Sequence, residues 1–189
     1  MRAEYEKIVQ AINYFAERNP GKKISKLHVL KIIFLADRYH LRMYGRMLTQ
    51  DRYFAMQYGP VASMTKNVFE FLNITQEQKK YAAQYLRPVD DHDVVSIKKP
   101  DMDVFSKTDI EALDAAWDVY SKHKSTIVAF THRFPEWKNK EKNLDSERSV
   151  EMNLLDFFLP VSANTEYCPA DEKRLELNRE HFAETAYLM

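Results

Sequence analysis

The sequence predicts a mainly α-helical protein: a single compact helical domain with a small β element, either a hairpin or a short sheet. Three observations carry that prediction. Apolar residues recur at helical spacing along most of the chain. From Val29 to Ala36 only Lys31 is polar, a pattern expected of a central helix buried on nearly every face. Segments of extended character are few, short and bounded by glycines or an acidic cluster. A length of 189 residues suits one domain. We expect residues 1–160 to form the helical body, with a loop and helix over 161–189 packed onto it.

The elements follow in order. Residues 4–18 place Ile8, Ile12 and Phe15 on one helical face, and Asn19-Pro20-Gly21 ends the pattern. Ser25 suits the N-cap of a second helix running to about Tyr44. From Met47 to Tyr58 the mixture of Thr, Tyr, Phe and Met reads as extended. Pro60 is expected to open a third helix, with Val61, Met64 or Thr65, Val68 and Leu72 on its inner face. A short helix is expected over Lys79–Leu86. Residues Arg87–Lys99 read as a hairpin turning at Asp90-Asp91-His92-Asp93. Ser106 begins a helix carrying Ile110, Leu113, Trp117 and Tyr120, and Ser125–Phe130 begins another, halted by Phe134-Pro135. Lys138–Arg148 is charge-dense and reads as a mobile connection. Val150–Leu159 is a short apolar segment stopped by Pro160. Residues 171–188 are expected to form an amphipathic helix using Leu175, Phe182 and Ala186.

Composition narrows the function classes. Lys+Arg and Asp+Glu both number 28, so the formal net charge is zero. A protein built mainly to wrap nucleic acid carries a basic excess instead. One cysteine, Cys168, excludes an internal disulfide and fits the reducing cytosol. The N-terminus has no charged-then-apolar leader pattern, and no uncharged stretch approaches the ~18 apolar residues of a membrane span. A soluble, cytoplasmic protein is expected.

No reaction chemistry stands out. The six histidines, His28, His40, His92, His123, His132 and His181, are scattered, with neither a His-Glu-x-x-His motif nor a cysteine pair. Asp37 and His40 could share a ligand, but hydrogen bonding along a helix surface is the better expectation. There is no Gly-x-Ser-x-Gly elbow, and three glycines offer little material for a phosphate-cradling loop. No metal, cofactor or catalytic residue is expected, and the chain does not read as an enzyme.

Binding chemistry is better represented. Lys31 and Asp37 lie six positions apart, so they face different ways and need separate partners. The favoured reading is a buried polar network fixing the helix against the Tyr58-Gly59-Pro60 turn. The other is that Asp37, Arg38 and Tyr39 line a recognition surface. The two can coexist at an interface edge. Tyr39, Tyr44, Tyr53 and Tyr58 also accompany Arg38, Arg42, Arg46 and Arg52, the residue types enriched at interface hot spots. Such a mixture can equally stack on bases, but the zero net charge favours a protein partner. The expected partner-binding set is Asp37, Arg38, Tyr39, Arg42, Tyr44, Arg46 and Tyr58.

The run Lys31-Ile32-Ile33-Phe34-Leu35-Ala36-Asp37, followed by Tyr58-Gly59-Pro60-Val61, resembles the Panacea domain of SocA-like antitoxins. In that family a Lys…Tyr/Phe-Leu-Ala-Asp helix precedes an extended segment ending in Tyr-Gly-Pro-Val. A weaker likeness covers Phe105-Ser106, then Thr131-His132 and Trp137, so the resemblance spans about Ile24–Trp137. It implies a structural motif of Lys31, Asp37, Tyr58, Gly59, Pro60, His132 and Trp137 in an α-helical domain with a small sheet. It also implies a non-enzymatic antitoxin that neutralises a toxin protein by direct binding. The alternative is a DNA-binding regulator of winged-helix-like arrangement, with the 47–58 or 87–99 segment as wing. With a helix expected from residue 4, no separate DNA-binding domain is expected ahead of the motif.

Overall fold

The computed structural model describes residues 4–161 and 171–186. Helix α1 (Tyr5–Arg18) buries Ile8, Ile12 and Phe15 fully, as its periodicity requires. A three-residue strand, β1 (Lys23–Ser25), leads into α2 (Lys26–Tyr44). The Ser25 side chain accepts from the His28 backbone N–H at 3.4 Å, closing the N-terminus as an N-cap should. Gly45, in the left-handed region at φ 67°, closes the C-terminus. Helix α2 is the axle of the fold. Residues Val29–Arg38 are all buried, which explains an apolar stretch with no solvent face.

After α2 the chain forms strands β2 (Tyr53–Met56) and β3 (Gly59–Ala62), joined by a tight turn at Gln57-Tyr58. Pro60 therefore does not open a helix. It sits in β3 opposite Ala55, and β3 lies at the edge of its sheet, beside β2. An edge strand tolerates a residue that cannot donate to the ladder. Helix α3 (Ser63–Glu70) begins three residues later and ends at Phe71, held left-handed at φ 53°. Leu72 thus lies past the helix and is exposed rather than on its inner face.

Helix α4 (Gln76–Ala82) starts three residues earlier than periodicity predicted. The cause is a capping box in which Thr75 and Gln78 exchange side-chain and backbone hydrogen bonds. The expected hairpin is present as β4 (Leu86–Pro88) and β5 (Asp93–Ser96). Asp90 accepts from the His92 and Asp93 N–H groups in its turn. Strand β1 pairs with β5 and completes a second three-stranded sheet, so the β content is two small sheets rather than one element.

Helix α5 (Lys107–His123) is opened by a Ser106–Asp109 capping box and packs along α2. Helix α6 (Ile127–Thr131) follows. Pro135 then stands at the first turn of α7 (Pro135–Glu141), so the residue expected to halt one helix starts the next. The Lys138–Arg148 stretch is consequently helical to Glu141 and makes a 3₁₀ turn over Lys142–Asp145, rather than forming one loop. The 150–159 segment provides β6 (Val150–Glu151), paired with β2, and a 3₁₀ turn over Leu154–Phe158.

Helix α8 (Glu172–Ala186) lies against α2 and buries Phe182 beside Phe158, with ring centroids 6.0 Å apart. Leu175 is partly buried. Residues 187 and 188, the Ala186 side chain and Cys168 lie outside what the structure describes. The protein is mainly α with small antiparallel sheets. Among the described residues no helix is long and apolar enough to cross a membrane.

Candidate functional site

Two buried carboxylates fix the irregular connection between α2 and β2. Asp37 accepts from the Thr49 backbone N–H at 2.8 Å, from the Thr49 hydroxyl, and from the Tyr53 hydroxyl at 2.7 Å. Burial pushes its carboxyl group up, and these three bonds act against that shift. Asp51 accepts from the Met64 and Thr65 N–H groups at 2.8 and 2.7 Å and from the Thr65 hydroxyl at 2.9 Å. It thereby caps α3, whose own N-cap position, Ala62, has no side chain able to do so. Asp37 is anchored by Thr49 and Tyr53, not by the Tyr58–Val61 turn or a nearby arginine. Asp37→Ala leaves those donors unpaired in the core. It is expected to lower the unfolding free energy by about 1–3 kcal/mol in denaturant titration. An unchanged midpoint combined with lost partner binding would assign Asp37 to recognition instead.

The tyrosine–arginine cluster divides by burial. Arg38 has no exposed surface: its Nε donates to Glu136 Oε1 at 2.7 Å, and its guanidinium stacks on Phe134 at 4.4 Å. Arg42 donates to the Phe157 and Leu159 carbonyls at 2.9 and 3.1 Å. Asp37, Arg38 and Arg42 therefore tie α2 to the rest of the core and do not line a surface. Tyr39 and Tyr44, half-buried, both donate to the Glu111 carboxylate of α5 at 2.7 Å. Arg46 reaches Asp109, Ser106 and Thr108. Tyr58 stands apart, 65% exposed at the β2–β3 turn.

His40 is also internal. It is fully buried, with Nδ1 2.8 Å from the Arg46 carbonyl and Nε2 3.1 Å from Asp109 Oδ1. Burial pushes the Asp109 carboxyl up, but the nearby His40 ring, the bond from the Ser106 N–H and the Lys7 ammonium outweigh it and leave the group well below the usual carboxylate range. Hydrogen bonding along a helix surface, the expectation for His40, gives way to a bridge between α2 and α5. Among the described residues Asp37 and His40 share no partner. Among the described residues no three His, Cys, Asp or Glu side chains converge as a metal site requires.

The remaining motif residues converge on an open cleft of about 1120 Å³. Its floor holds Lys31, which is 1% exposed and donates from Nζ to the Pro60 carbonyl at 2.8 Å. Among the described residues no carboxylate lies within ion-pair distance of that amine. Burial pulls it down to about 7. Gly59 permits the approach. It adopts φ +95°, and a Cβ there would sit 2.9 Å from Thr131 Oγ1 and 3.2 Å from Lys31 Nζ.

His132 stacks on Trp137 with centroids 3.7 Å apart and planes 6° from parallel. Trp137 donates from Nε1 to the Met56 carbonyl at 3.1 Å, which locks α7 against β2. Burial first, and then the neighbouring Lys31 charge, lower the His132 imidazole, with Glu141 opposing. Its buried Nε2 has no hydrogen-bond partner among the described residues. Lys31, His132 and Trp137 thus line the cleft, with Gly59 and Pro60 packed against Lys31 and Tyr58 at the lip.

The family model described as antitoxin SocA-like, Panacea domain, matches residues 29–138, more than half of the chain. This chain belongs to that family. The matched span begins inside α2 and ends inside α7, so it encloses every residue of the cleft floor just described. No curated protein and no solved structure matches the chain. Two Panacea-domain features escaped sequence reasoning. Glu136 lies between Pro135 and Trp137, where nothing local signals a buried acid, and Asp51 caps a helix twelve residues further on, beyond any local capping signal.

Proposed function

We propose that this Panacea-domain protein is a cytoplasmic antitoxin that neutralises a toxin protein by binding it directly, without turnover of its own. The family match over residues 29–138 is the observation that carries this reading. The exposed apolar rim of the cleft adds to it: Tyr58 and Leu27, 65% and 40% exposed, are side chains of the kind that protein partners cover.

Co-expression with a toxin encoded in the adjacent reading frame is expected to restore growth, and the two proteins are expected to co-elute on size exclusion. Rescue without a detectable complex would overturn direct binding. The DNA-binding alternative fares less well on charge. The β4–β5 hairpin that would serve as a wing carries Asp90, Asp91 and Asp93 at its turn, which a phosphate backbone repels.

A further inference from the structure

A lysine buried without a carboxylate is costly, because a desolvated cation needs a compensating charge. Lys31 has a single neutral acceptor, the Pro60 carbonyl, and the structure makes special room for it at Gly59. Beside it His132 holds a buried nitrogen with no partner among the described residues, on a ring fixed by Trp137. Both side chains line the same cleft. A packing role does not account for the pair. A methionine would fill the position of Lys31, and a phenylalanine would stack on Trp137. What the two polar atoms have in common is fitness for an anion: a cationic donor and a ring nitrogen, set in an apolar surround.

We propose that this cleft is the docking site for a carboxylate of the protein partner, an Asp or Glu side chain flanked by apolar residues. The carboxylate meets Lys31 Nζ and His132 Nε2, and the flanking apolar groups cover Leu27, Leu30 and Tyr58. This rests on the direct-binding reading of the protein. The size of the cleft favours a chain segment over a small acid, since about 1120 Å³ exceeds the ~300–1,000 Å³ typical of small-molecule sites. Lys26 and Lys66 on the cleft lining both reach Glu70, and Arg148 stands among Glu141, Asp145 and Glu147. Lys31, which has no carboxylate within ion-pair distance among the described residues, is therefore the cation left for an incoming carboxylate.

The test is an amide-resolved NMR titration of the full chain, below neutral pH, with three probes: acetyl-Leu-Glu-Leu-amide, acetyl-Leu-Gln-Leu-amide and sodium acetate. The Glu peptide is expected to shift Lys31, Gln57–Val61, His132 and the Trp137 indole saturably, about ten-fold more tightly than the Gln peptide. Lys31→Met should remove that preference while keeping a folded spectrum. Equal binding of the Glu and Gln peptides, or no saturable shift at millimolar peptide, would overturn the proposal. So would acetate matching the Glu peptide, which would make the cleft a site for free small acids. The peptide comparison needs neither a variant nor a toxin. If wild-type protein forms no complex with the toxin, direct binding fails independently. If the wild-type and Lys31→Met proteins bind the toxin equally, the cleft proposal fails while direct binding stands.

Discussion

Glu136→Ala is expected to be among the most damaging single substitutions in this protein, lowering its stability by about 3–5 kcal/mol. Arg38 and Glu136 are both completely buried and meet at 2.7 Å. Burial pushes the Glu136 carboxyl up, and the Arg38 guanidinium beside it opposes that shift. Truncating the acid leaves a guanidinium that stays charged at any accessible pH, with no counter-charge in the core. Removing both partners is a different matter. Arg38→Met combined with Glu136→Leu should recover most of the loss, because no desolvated charge remains. Thermal melts of the two single variants and the double variant check this. Additive losses would show that the pair contributes through packing alone.

Lys31→Met is expected to act in the opposite direction and raise stability. The amine falls from its ordinary 10.5 to about 7 through burial, which corresponds to roughly 4–5 kcal/mol against the charged folded form. Losing the bond to Pro60 returns about 1 kcal/mol of that, so a net gain of roughly 3 kcal/mol is expected at and below neutral pH. The sign with pH follows from proton counts. Below about 7 both folded and unfolded chains hold the proton, and the wild type bears the full penalty. Between there and 10.5 the unfolded chain holds a proton that the folded chain has released, so wild-type stability rises with pH. The gap between variant and wild type should therefore narrow steadily toward alkaline pH. A Lys31→Met protein that melts lower than wild type at neutral pH would show that the amine has a structural partner.

The sequence revealed the fold more fully than the site. Helices α1 and α5 were legible from sustained apolar periodicity and α2 from its nearly unbroken apolar run, each with a Ser cap or a Gly or Pro stop. Strand β1 was not, since three residues carry no period, and it exists only through its pairing with β5. Pro60 misled for a physical reason: a proline suits a helix start and an edge strand equally, and only the position of β3 decides. The motif residues came from the family resemblance, and their surroundings were not legible. Arg38 and Arg42 looked like surface anchors, because nothing local reveals an acceptor about a hundred residues downstream. Lys31 stood out as the one polar residue between Val29 and Ala36, and the structure buries it with the Pro60 carbonyl as its acceptor.

The partners of α2 also bear on how the protein is made. Arg38 is paired by Glu136, Arg42 by the Phe157 and Leu159 carbonyls, and β2 by β6 at residues 150–151. At roughly 5–20 residues per second of synthesis, the ribosome takes about 6–24 s to travel the 121 positions from Arg38 to Leu159. Until Glu136 emerges the central helix carries two arginines that have not met their acceptors, and until Leu159 emerges Arg42 still lacks one of its carbonyls, so the helix cannot settle into a dry core. A nascent chain stalled before residue 136 should remain protease-sensitive however complete its first helices are, and protection should appear abruptly once residue 159 clears the exit tunnel. The fold, and with it the direct binding proposed above, would then be completed in a single late step, not by degrees.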